Sequence, residues 1–222
     1  MTAKKSKFTY MKNVFFTAAF VFISTLGFAQ YNYRDSNRIG ISFGINQFSL
    51  NTKNFQTKPG TGWNGGLSIR GNYYDNWDMV YAIQFSENNF SVNTKSGFIT
   101  EDTNYKLSSA QISLMASYKI IENQLSFEFG PLVQVNGKLK TDYANENNVI
   151  TGTTFFAKDI ADISRFNFYP VVGITAGFRH IRANVSYQYG INNMLGNLNS
   201  KSLGENFKGH PGILNGNLII YL

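Results

Sequence analysis

SAQISLMASYKIIENQLSFEFGPLVQVN, residues 109–136, reads as two strands and a tight turn. On the first strand Ala110, Ile112, Leu114, Ala116 and Tyr118 alternate with Ser109, Gln111, Ser113, Met115 and Ser117. On the second, Leu125, Phe127, Phe129, Val133 and Val135 alternate with Ser126, Glu128, Gly130, Gln134 and Asn136. Successive side chains of a strand point to opposite faces, so each segment carries one apolar and one polar face. The link between them, Ile121-Glu122-Asn123, is tight, which makes them antiparallel neighbours.

The same period recurs outward in both directions, at 39–45, 63–73, 79–85, 168–178, 181–189 and 214–222, for eight segments in all. A soluble sandwich would alternate as well, so the connections have to decide. The links at 74–76, 121–123 and 179–180 are short, whereas those at 51–60, 93–104, 139–165 and 192–210 are long and polar. Strict alternation of short and long links, with an even strand count, is the plan of a membrane barrel with periplasmic turns and extracellular loops. Hydrocarbon offers the backbone no hydrogen-bond partner, and a closed barrel pairs every N–H and C=O internally. The expected fold is therefore all-β: an eight-stranded antiparallel up-and-down transmembrane β-barrel in the cell outer membrane. Tyr73, Trp77, Tyr118, Phe178 and Tyr221 near the short turns, and Trp63, Phe90, Phe168 and Tyr189 near the long links, are expected to form two aromatic girdles.

Composition agrees. Hydrophobic residues make up 43% of the 222, yet mean hydropathy is only -0.21, so apolar and polar residues are interleaved. Cysteine is absent, which excludes disulfides, a thiolate nucleophile and a Cys-ligated metal. Residues 1–29 read as a cleavable signal peptide: Lys4, Lys5, Lys7 and Lys12 precede an apolar run at 14–23 and small residues ending in Ala29. Met11 also suits an initiator, since Met11-Lys12-Asn13 makes an ordinary basic start. The barrel domain then occupies 30–222. Those four leader lysines carry more than half of the formal charge of +7, and no Lys/Arg block remains, which argues against a nucleic-acid partner.

Phe28-Ala29-Gln30, the Gly-rich alternation of Gly40-Ile41-Ser42-Phe43-Gly44 and the closing Asn217-Leu218-Ile219-Ile220-Tyr221-Leu222 together resemble the PorT-type outer-membrane β-barrel family. The resemblance covers essentially all of the mature chain. It implies a small outer-membrane barrel and, from some members, an accessory role in type IX protein secretion. Recognition by the barrel-assembly machinery is expected, although the chain ends on Leu222 with Tyr221 penultimate, where that signal tends to end on an aromatic.

No catalytic, cofactor or metal residues are expected. His180 falls in a periplasmic turn and His210 at the outer mouth, too far apart to share a metal, and no serine shares the strand face of His210; Ser200 and Ser202 lie in a long loop. The acids Glu101, Asp102, Asp159 and Asp162 lack calcium-loop spacing. The polar strand faces carry Arg70, Gln84, Gln111, Glu128, Gln134, Arg182, Asn184 and Gln188, expected as a network filling the lumen, with Glu128 the only acid and Arg70 or Arg182 its counter-ion. An eight-stranded barrel is just wide enough for its side chains, so bulk porin activity is not expected. Function is instead expected in the extracellular loops, above all 139–165, where Tyr143, Phe155 and Phe156 would offer a protein or ligand partner an aromatic surface. The barrel is expected to be a monomer surrounded by outer-membrane lipid. Passage of a small solute, outer-leaflet lipid modification and a soluble carrier with Ile41, Leu67 and Leu114 turned inward are the competing readings.

Overall fold

The computed structural model describes residues 37–201 and 206–222; the leader at 1–29 and Ser202 lie outside them. In chain order the strands are β1 (Arg38–Thr52), β2 (Thr57–Tyr74), β3 (Trp77–Ser96), β4 (Ile99–Ile121), β5 (Leu125–Thr141), β6 (Val149–Ile150), β7 (Phe166–Gly177), β8 (Ile181–Tyr189) and β9 (Gly209–Tyr221). The two-residue β6 only extends the outer end of β3. The other eight each pair antiparallel with the next, and β9 pairs with β1, so the sheet closes with no free edge along the barrel.

The register sets the shape. From Ala176, cross-strand pairs run through Ala183, Leu218, Phe43, Gly65, Phe85, Ala110 and Val135 and return to β7 at Phe166, about ten residues along. With a rise of about 3.3 Å per residue and strands about 4.8 Å apart, that stagger tilts the strands by about 40°. An even stagger also preserves facing: an odd one would turn the apolar side inward at the seam. The connecting turns suit this ladder, since Asp75 and Asn123 adopt the left-handed φ of 39° and 58° that short polar side chains tolerate.

Outward faces carry Ile41, Phe43, Ile45, Leu67, Ile83, Ile112, Val133, Val172, Val185 and Leu214, all exposed, while serines, amides and ionised groups are buried inside. Ile41, Leu67 and Leu114 face outward, which overturns the soluble-carrier reading. The outward run on β5 from Leu125 to Val135 matches the roughly 9–11 residues that a tilted strand needs to cross hydrocarbon.

Above that band the pattern reverses. On β1 the outward apolar series ends at Ile45, and Phe48 and Leu50 point inward beneath water-facing Gln47 and Asn51. On β3 the switch falls between Phe85 and Phe90, and on β4 between Ala110 and Leu107. On β5 a bulge opposite Ser108 performs it, leaving Leu139 inside and Lys138 and Lys140 outside. Hydrophobic residues face lipid where the solvent is lipid and turn inward where it is water.

Two sequence expectations change as a result. The links at 51–60 and 93–104 are largely strand: only 53–56 joins β1 to β2, and β3 and β4, 20 and 23 residues long, continue to a two-residue turn at Gly97-Phe98. Their outward faces are polar there, which mimics a loop in the sequence. Tyr221 and Phe90 are buried inside and belong to no girdle, unlike exposed Tyr73, Tyr118, Phe178, Trp63, Phe168 and Tyr189.

Candidate functional site

The interior has three tiers. The lowest, at the periplasmic end, is ionic. Arg70 enters from β2 and donates from Nη1 to Asp78 Oδ2 at 3.1 Å and to Ser117 Oγ at 2.8 Å, and from Nη2 to Glu128. Asp78 also holds Lys119 at 3.4 Å, and Asn184 Nδ2 donates to Glu128 Oε2 at 3.3 Å and to Thr175 Oγ1 at 2.9 Å. The expected Glu128 counter-ion is thus Arg70. Arg182, the other candidate, is buried on β8, forms no ion pair among the described residues, and its Nε has no hydrogen-bond partner there. Asp78 is a second inward acid that the sequence reading passed over, although it shares the strand parity of Val80 and Gln84.

The middle tier holds a cavity of about 60 Å³ bounded in part by Ser42, Gln84, Glu128, Ser186 and Gln188, with Leu132 and Val171 also on its wall. A cavity of that size holds a few water molecules and no larger solute. Gln84 Nε2 donates to Ser42 Oγ at 3.0 Å, apart from the other predicted amides. Gln111 Nε2 donates to Gln134 Oε1 at 2.7 Å and reaches Gln188 Oε1 at 3.5 Å. The chain continues from Gln134 to Asn136 at 2.6 Å and from Asn136 to Asn167 at 2.7 Å. Of the eight predicted lumen residues, the structure joins Arg70 and Asn184 to Glu128, and Gln111 to both Gln134 and Gln188; Gln84 and Arg182 stand outside both sets.

The upper tier is an apolar cap over the outer mouth. Phe48 packs on Phe90 at 5.5 Å between ring centres, Phe90 stacks on Tyr105 at 5.1 Å, and the Tyr105 hydroxyl donates to the Ala157 carbonyl at 2.8 Å. Short 3-10 turns at Ala157–Ala161 and Gly196–Lys201 bring Ile160 and Leu198 into the same cluster, which Phe207 joins. Phe155 therefore departs from the expected loop surface: only 5% exposed, it packs on Phe207 at 5.2 Å. A loop of this length acquires a core of its own, and Phe155 supplies part of it. Tyr143 and Phe156 are exposed, at 89% and 42%. So are Phe98 and Ile99 at the tip of the long β3–β4 hairpin, where Gly97 takes φ 61°. Nothing in their sequence surroundings marked these two as a tip, because the polar alternation on either side resembled a loop.

The histidines sit at opposite ends. His180 Nδ1 lies 3.3 Å from the Tyr221 carbonyl, and His210 Nδ1 lies 3.0 Å from the Gly190 carbonyl with its ring stacked on Tyr189.

A closed eight-stranded ring with lipid-facing apolar residues and a polar interior has a family to match. Residues 28–196 fit the outer membrane protein beta-barrel domain. The chain belongs to that family. It is an outer-membrane protein. Its fold is similar to that of neisserial surface protein A, at 12% identity and a TM-score of 0.48 over 82% of this chain and 96% of that one. It is also similar to Ail of Yersinia pestis, at 12% identity and 0.46 over 84% and 99%. OprG of Pseudomonas aeruginosa matches at 10% identity and 0.47 over 84% and 96%. No curated protein matches the sequence.

Proposed function

We propose that this barrel is a surface-binding protein of the outer membrane that presents its extracellular cap to a protein or ligand and passes no bulk solute. The supporting observation is the division of the chain: an ionic and amide-filled lumen below, and above it a cap with a core of its own that holds Phe98, Ile99 and Tyr143 out into solvent. Exposed apolar side chains on a rigid support lose little entropy on binding, which favours a recognition role. The cap and the side chains beneath it also work against the transport reading, since a solute would have to displace both. No catalysis is assigned to the barrel: His210 is committed to a backbone carbonyl and an aromatic stack.

Photo-crosslinking on intact cells tests the binding role. Probes near the hairpin tip are expected to give adducts that disappear in Phe98→Ser/Tyr143→Ser at unchanged surface amount; an unchanged adduct pattern would overturn it. Planar-bilayer recording tests closure, with no porin-sized steps expected. Unaltered lipid A in His210→Ala cells is the expectation for a non-enzyme. PorT-type kinship and a secretion role rest on the strand pattern, and secretome comparison in a deletion strain tests them.

A further inference from the structure

A groove opens on the outside of the barrel where β5 leaves the hydrocarbon. β5 faces lipid through Val133 and Val135, and the bulge opposite Ser108 then turns its facing, so that Gly137 and Lys138 stand at the boundary with water. β7 begins at the same level: Val135 pairs with Phe166, and the Asn136 amide donates to the Arg165 carbonyl at 2.7 Å. The 3-10 turn at Ala157–Ala161 and the residues after it close the far side. The groove measures about 580 Å³ and brings Lys138, Lys158 and Arg165 together on its walls, with Asp162 the one acid that lines it.

That volume is in the range of small-ligand sites. The three cations are exposed, and none of them joins an ion pair among the described residues. Lys158 Nζ donates to the neutral Asn147 Oδ1 at 2.8 Å, and Asp162 Oδ1 accepts from Asn197 Nδ2 at 3.3 Å. Three cations against one carboxylate leave two positive charges in excess. A phosphate monoester carries about −1.5 to −2 near neutral pH and is their complement. Its oxygens accept several N–H bonds from Lys and Arg, from Arg as a bidentate fork. Beneath the groove lies an apolar wall on the same two strands, since exposed Val135 pairs with exposed Phe166 and exposed Val133 with exposed Phe168. A free phosphate makes no use of that wall. A lipid whose phosphate sits at headgroup level, with acyl chains below it, fills both.

We propose that this groove binds the phosphate of a phosphorylated glycolipid of the outer leaflet, of the lipid A class. Lys138, Lys158 and Arg165 hold the phosphate, and the acyl chains lie along Val133, Val135, Phe166 and Phe168. The site faces sideways into the leaflet and does not depend on the binding role given above to the hairpin tip.

Native mass spectrometry of the purified, refolded barrel tests it by counting bound lipid. Phosphorylated lipid A, the same lipid A after enzymatic dephosphorylation, and inorganic phosphate are each titrated into detergent micelles holding the protein. One phosphorylated lipid A per barrel is expected to be retained. Lys138→Gln/Lys158→Gln/Arg165→Gln is expected to bind it about tenfold more weakly, each exposed charge contact contributing roughly two- to threefold. The dephosphorylated lipid should bind the wild type about as weakly as the phosphorylated one binds this variant. Lys53→Gln/Lys95→Gln/Lys140→Gln removes the same charge from exposed lysines that do not line the groove and is expected to keep full affinity. The gel shift on boiling establishes that each variant is folded. Equal affinity of the wild type for the two lipids would overturn the proposal, and so would equal losses in the two triple variants. Complete displacement of the lipid by equimolar inorganic phosphate would overturn its assignment to a lipid.

Discussion

Replacing Arg70 by methionine removes the one cation among the described residues that touches Glu128 while leaving the volume of the side chain roughly filled. Asp78 keeps Lys119, but Glu128 is left with Ser117 and Asn184 as its partners among the described residues. Removing one member of a buried ion pair costs about 3–5 kcal/mol, because the remaining charge stays buried and uncompensated. Here the lower end applies, about 3 kcal/mol, since Glu128 borders the 60 Å³ cavity and a few waters there can solvate it. Glu128→Gln leaves Arg70 its pair with Asp78 and is expected to cost about 1–2 kcal/mol. In the double variant no carboxylate remains stranded, so the two losses are expected to fall short of additivity by about 2 kcal/mol. Urea unfolding in lipid vesicles, followed by the fluorescence of Trp63 and Trp77 and by gel migration, measures all four corners of the cycle. Additivity within about 0.5 kcal/mol would refute the claim that Arg70 and Glu128 are a coupled pair.

Other perturbations separate the tiers. Phe90→Ala empties a fully enclosed site between Phe48 and Tyr105 and is expected to cost the cap about 3–5 kcal/mol; protease added to intact cells should then cut the loops while the gel shift of the barrel persists. Ile83→Arg places a charge mid-band on the lipid face, and about 2–4 kcal/mol of lost stability is expected in vesicles. Gly97→Val forces a β-branched residue to φ 61°, which should cost about 1–2 kcal/mol, visible as faster hydrogen exchange at the hairpin tip with no change around Ile112.

The barrel itself was legible because its signal is repetitive. Each membrane segment alternates, and the parity of Arg70, Gln111, Glu128 and Gln134 follows from that alternation alone. The pairing of Glu128 with Arg70 rather than Arg182 was not legible, because it depends on which side chains converge across the lumen, and the stagger that decides this is a property of the closed ring. Phe155 was misread for a related reason. In an isolated loop an aromatic is exposed, whereas here Phe207, more than fifty residues later, folds over it.

The reversal of hydrophobic facing carries information that plain alternation lacks. A strand with a single in-out pattern resists a one-residue slip, which would turn its apolar face into the lumen, yet a two-residue slip restores the parity and costs only end contacts. Here a two-residue slip of β1 toward the periplasm would bring Phe48 down beside the amide tier and leave Asn46 lower still, while a slip the other way would lift Ile45 out of hydrocarbon into water. Each strand that carries both phases is therefore fixed in depth as well as in facing. The switches on β1, β3 and β4 lie close to one another in register, since Ile45 pairs with Trp63, Trp63 with Glu87 and Phe85 with Ala110. Exchanging the two phases on β1 with Gln47→Phe and Phe48→Gln tests this directly: it should lengthen the lipid-facing series by one position and remove an anchor of the cap. If depth is set by the switch, a spin label at Ser49 moves toward the hydrocarbon boundary and Phe90 becomes accessible. If the neighbouring strands alone set depth, the label stays where it is and only the cap loosens.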